Sequence, residues 1–109
     1  MAYDEGLAER IRIAVATRDG ISERKLFSSL GFFVNGNMAV AAHAEGLVVR
    51  LDPEDGAKAL KEEGVSTFPP GHAPMKGWVI VEETAISEED ALTGWVEAGL
   101  EFAGTLPAK

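Results

Sequence analysis

Phe32-Phe33-Val34-Asn35-Gly36-Asn37-Met38-Ala39-Val40 places Asn-Gly between two apolar segments. Both central residues of a two-residue hairpin turn need positive φ, which Asn tolerates and Gly adopts freely. The phrase therefore predicts a hairpin in which Val34 pairs with Asn37, Phe33 with Met38 and Phe32 with Ala39. A second hairpin is expected to close near Ala44-Glu45-Gly46, pairing His43 with Leu47, Ala41 with Val49 and Ala39 with Leu51. Alternation along each strand then sorts the side chains. Phe32, Val34, Ala39, Ala41, Leu47, Val49 and Leu51 share one face; Phe33, Met38, Val40, Ala42, Val48 and Arg50 share the other. The first face suits helices. The second is also largely apolar and needs a cover, from a helix, the C-terminal segment or another chain.

Working outward, Leu7, Ile11, Ala14 and Val15 recur at helical spacing within a helix near residues 4–18, with Asp4 as its cap and Asp19-Gly20 as its stop. Ile21 to Ser29 fits either a helical turn over Ser22-Glu23-Arg24-Lys25 or a strand begun by Lys25-Leu26-Phe27; a short strand after Glu23 is expected, broken or bent by Ser28-Ser29. Asp52-Pro53-Glu54-Asp55 reads as a helix start with Asp52 capping and Pro53 in the first turn, and the helix should run to Glu63-Gly64, weakened by Gly56. A brief strand over residues 65–68, a proline-rich loop over 69–74 and the strand Trp78-Val79-Ile80-Val81 follow. Ser87 is expected to cap the last helix, whose apolar stripe is Ala91, Leu92, Trp95, Val96, Gly99, Phe102 and Ala103; Pro107 should end the ordered chain.

The chain has 109 residues, which fits one domain over residues 1–109. It has no cysteine, so disulfides, thiolate catalysis and cysteine-based zinc sites are excluded. The N-terminus is acidic without an apolar h-region, and no apolar run approaches a bilayer span, so a cytoplasmic protein without membrane attachment is expected. The net charge of -8 opposes direct nucleic-acid binding, which needs clustered cations, and allows a partner with a basic surface.

Motifs for chemistry are sparse. The serines show no nucleophile elbow, the glycines no phosphate loop or dinucleotide fingerprint, and His43 and His72 no ligand-like spacing, so neither metal nor cofactor is expected. Glu88-Glu89-Asp90 is explained by its place at a helix start.

Four phrases come in a telling order: Arg24-Lys25-Leu26-Phe27, Phe33-Val34-Asn35-Gly36-Asn37-Met38, Arg50-Leu51 and Pro74-Met75-Lys76-Gly77-Trp78-Val79. With the opening Met1-Ala2-Tyr3-Asp4 and the closing Leu106-Pro107, the set resembles the N-terminal domain of the TfoX/Sxy family, in its stand-alone, single-domain form. Ser28-Ser29 stands where the family commonly has a glycine pair. The resemblance implies an α+β fold similar to type III secretion chaperones. With the elements above, this is an antiparallel sheet of about five strands with three helices, in the order roughly α-β-β-β-α-β-β-α. It also implies regulation: founding members promote bacterial competence gene expression by acting with a transcription factor rather than as enzymes.

Two readings of the family-like positions follow. The first is a non-enzymatic module that contacts a protein partner, a transcription regulator or a second copy of itself, through Lys25, Phe33, Met38, Val40, Arg50, Lys76 and Trp78. In a homodimer of this kind, Phe33→Asp or Val40→Asp should weaken association without unfolding the chain. The second is a small-ligand or anion site built from Lys25, Arg50 and Lys76, against which stands the plainer reading of separate surface cations. Arg50, on an apolar face, would need a carboxylate there if that face were covered.

Overall fold

The structure, a computed structural model, describes residues 3–26, 28–69, 71 and 73–109. Phe27, Pro70 and His72, with Met1 and Ala2, lie outside the described residues, and so do the expectations that fall on them. The chain is α+β, with helix α1 (Glu5–Val15), strands β1 (Ile21–Leu26), β2 (Ser29–Val34), β3 (Asn37–His43) and β4 (Gly46–Arg50), helix α2 (Pro53–Ala59), strands β5 (Val65–Thr67) and β6 (Trp78–Val81), a 3₁₀ turn (Glu83–Ile86) and helix α3 (Glu89–Gly104). Four strands, not three, precede α2. The six strands form one antiparallel sheet in the order β1-β2-β3-β4-β6-β5.

Asn35 and Gly36 form the expected turn, with φ of 50° and 86°. Val34 pairs with Asn37 and Phe33 with Met38, but Phe32 pairs with Val40, so Ala39 is an extra residue in β3. Helix α3 meets this bulge at Gly99, where a Cβ would stand 2.7 Å from both the Ala39 carbonyl oxygen and Val40 Cγ1. The bulge turns Ala39 and Val40 both toward the helices. It also puts Ala42 on that side and Ala41 on the other, reversing the expected faces of Val40, Ala41 and Ala42. The second hairpin departs as well: His43 pairs with Gly46, leaving Ala44 and Glu45 as the turn. His43 tightens it, since its Nδ1 accepts the Glu45 N–H at 3.1 Å. The two slips cancel, so Leu47, Val49 and Leu51 lie on the helix side and Val48 on the other, as expected.

Leu7, Ile11 and Val15 of α1 and Leu92, Val96 and Leu100 of α3 pack on Phe32, Val40, Leu47 and Val49 to form the main core. Burying each such side chain stabilises the fold by roughly 1.5–3 kcal/mol relative to exposure. Asp4 caps α1 by accepting the Leu7 N–H at 3.1 Å, and Asp52 caps α2 by accepting the Glu54 N–H at 2.9 Å. Ser87 does not cap α3. Its hydroxyl donates to the Thr84 carbonyl in the 3₁₀ turn, and Glu88 holds the cap position without a side-chain bond. The last residues remain tied down past Pro107: Asn37 Nδ2 donates to the Pro107 carbonyl at 2.9 Å, and the Lys109 N–H to the Asn35 carbonyl at 2.9 Å.

The outer face of the sheet is covered largely by this chain. Phe68, from the β5–β6 connection, packs with Met38 and Trp78 on buried Ala41, Val48 and Ile80. Arg24 lies 4.4 Å from the centroid of the Phe33 ring, which is 7% exposed. Among the described residues, no helix is long and apolar enough to cross a membrane.

Candidate interaction surface

The Met75-Lys76-Gly77-Trp78 segment turns into β6 at Gly77, whose φ is +85°. A Cβ there would stand 2.3 Å from the Leu51 carbonyl oxygen, so only glycine fits. The Gly77 carbonyl accepts the Leu51 N–H at 2.7 Å, tying the turn to the end of β4. Helix α2 lies directly on this turn because Gly56 has no side chain; a Cβ on it would stand 2.8 Å from Gly77 Cα. Gly56 thus sets a helix-to-turn contact, beyond merely weakening α2.

Beside this contact runs a groove of about 500 Å³ between α2 and the Pro74–Val79 segment. Leu60 and Met75, 38% and 43% exposed, both line it, together with Trp78. Lys76 and Glu54 supply its charges. The sequence reading singled out the Met75–Trp78 side but missed Leu60. The available signals were Gly56 inside a helix and Leu60 one turn beyond it.

The candidate residues are scattered. Lys25 is exposed on edge strand β1, opposite Leu30 on the helix-side row of the sheet. Arg50 stands on the outer row opposite Trp78. Three inter-strand steps, roughly 14 Å, separate β1 from β4. Lys76, exposed at the groove, shares only Arg50's end of the sheet. The three cations are not brought together. The Arg50 guanidinium lies 5.2 Å from the Trp78 ring centroid and 5.8 Å from that of Phe102. Among the described residues it has no carboxylate partner, and aromatic faces take that place. Phe33 and Met38 are outer-face residues beneath or beside other side chains. Val40 is 0% exposed in the main core and offers no surface.

Among the described residues, the nearest thing to a nucleophile and base is Ser28 Oγ, 3.4 Å from His43 Nε2. Because His43 Nδ1 accepts the Glu45 N–H, the neutral ring carries its proton on Nε2. That nitrogen donates toward Ser28 and cannot take its proton. Among the described residues, no three His, Asp or Glu side chains are grouped to hold a metal ion. The perturbed groups lie elsewhere. Accepting the Leu7 N–H, with a further bond to Glu83, lowers the Asp4 pKa, while the same contact with Asp4 raises that of Glu83. Glu23 and then Glu9 raise that of Arg12.

A family model described as the TfoX N-terminal domain matches residues 14–103, most of the chain. The chain belongs to that family. Comparisons with curated proteins and with solved structures find no match. Within this TfoX domain, the matched span holds the Asn35-Gly36 hairpin, both glycines of the α2 contact and every residue lining the groove.

Proposed function

We propose that this TfoX domain is a non-enzymatic regulatory module that docks a partner protein, seating an apolar side chain of that partner in the α2–Met75 groove. The carrying observation is that Leu60 and Met75, two large exposed apolar side chains, line one groove. Such a pocket flanked by an aromatic ring is the geometry of an anchor site. The family membership supports a regulatory role. The charge of -8 opposes a phosphate backbone as the ligand.

The test is site-specific photo-crosslinking in the cells that make the protein, with a photoreactive phenylalanine at Met75. One discrete product is expected, mapping to an apolar side chain of another protein and lost when Leu60→Glu is added. In direct titration with that protein, Met75→Glu should weaken affinity by about tenfold or more. A product formed equally well in the Leu60→Glu background removes the groove from the proposal. Crosslinking of the chain only to itself, with a dimer by light scattering, replaces the foreign partner with a second copy.

A further inference from the structure

On the other side of α2, a second groove of about 530 Å³ separates it from α3. The half-buried rings of Trp95 and Phe102 line it with Leu51, Ala59 and Ala98. Carboxylates stand along both walls: Asp55 and Glu62 from α2 and the turn after it, and Glu97 and Glu101 from α3. Two lining residues already meet guanidinium groups that stand outside the groove. Arg18 pairs with Glu97, and Arg50 lies 5.8 Å from the Phe102 ring centroid. Among the described residues, Asp55, Glu62 and Glu101 form no ion pair. Nor do these acids converge as a metal site would require. Negative charge spread along a groove with aromatic walls complements an extended cationic segment better than a single ion.

We infer that the α2–α3 groove receives an arginine-bearing segment of a partner protein. A guanidinium lies on Trp95 or Phe102, and neighbouring cations pair with Asp55, Glu62 and Glu101. Arginine fits better than lysine, because its planar group stacks on a ring while its fork bonds a carboxylate. This rests on the reading of the domain as a protein-binding module but uses a different surface from the Leu60–Met75 groove.

The chain has two tryptophans, so Trp78→Phe leaves Trp95 as a reporter inside the groove. The probe is an amidated peptide alternating Arg and Ala, with Lys-Ala and Glu-Ala peptides as comparisons, at about 50 mM salt. A saturable change in Trp95 emission is expected with the Arg peptide, about threefold tighter than with the Lys peptide and absent with the Glu peptide. The triple variant Asp55→Asn, Glu62→Gln, Glu101→Gln should weaken binding about tenfold. The charge-matched control Glu5→Gln, Glu45→Gln, Glu88→Gln should bind nearly as wild type does. Amide shift mapping on the wild-type protein, which needs no variant to fold, should place the perturbations on α2 and residues 94–105. Equal loss in the control, equal affinity for Arg and Lys peptides, shifts spread over the whole surface, or no binding at all would each overturn the inference. Met75→Glu should leave this affinity unchanged, so failure here and failure of the first groove are told apart.

Discussion

At Gly99 a Cβ would collide with the β3 bulge, whereas at Gly94, earlier on the same helix, it would meet nothing within 4 Å. Alanine at these two positions should therefore act in opposite directions. Gly99→Ala is expected to lower the free energy of unfolding by about 1–3 kcal/mol, and Gly94→Ala to raise it by up to about 1 kcal/mol; urea titration of both variants measures the contrast. Val40→Asp places a carboxylate among the Gly99 contacts and should abolish folding, which corrects the expectation that it would only weaken a dimer. Asp4 gives a pH-dependent case. Its pKa is lowered by the folded state, so its contribution is fully present above the ordinary 3.8 and is lost as pH falls through the folded value. Glu83, raised by the same contact, runs the opposite way and loses its contribution as pH rises through its folded value. Asp4→Ala should cost about 1 kcal/mol near neutral pH. In a series of denaturation curves, its gap from wild type should close on acidification.

Among the elements, the Asn35-Gly36 turn, the Asp52 cap and the Trp78–Val81 strand were legible because each depends on neighbouring residues alone. The bulge was not. It inserts one residue into β3, and a single insertion reverses every later face of that strand. Its partner, Gly99, lies on a helix far along the chain, beyond the reach of local alternation. The second turn hid for a different reason: Ala44-Glu45 is not a turn-forming pair, and the contacts made there, Glu45 N–H to the His43 ring and Gly46 against the Val81 carbonyl, are not visible in local sequence. For the candidate surface, the Met75-Lys76-Gly77-Trp78 phrase marked one wall, but the order of Lys25, Arg50 and Lys76 in the chain carried no information about which sheet face each would occupy. The joint between α2 and β6 can be tested directly. Gly77→Ala forces a side chain onto the Leu51 carbonyl at positive φ and should cost more than about 1 kcal/mol. The loss of stability, read by thermal melting, should come with loss of the partner crosslink at Met75.

At the scale of the whole molecule, both faces of the sheet are apolar, and each is covered mainly from within the chain: the inner by α1 and α3, the outer by Phe68, Trp78 and Met38. The outer cover is thinner. Phe68→Ala should expose Ala41, Val48 and Ile80, raise the fluorescence of an added hydrophobic dye and reduce stability by about 1–3 kcal/mol. The inner cover depends on α3, which packs across β2, β3 and β4 yet is the last helix of the chain. A ribosome making this protein releases the four-stranded meander well before the helix that shields it. Between the end of β4 at Arg50 and the arrival of Glu89–Gly104, the nascent chain shields its inner sheet face with α1 alone, and that half-covered face is a substrate for a holdase or for aggregation with its neighbours on the same messenger.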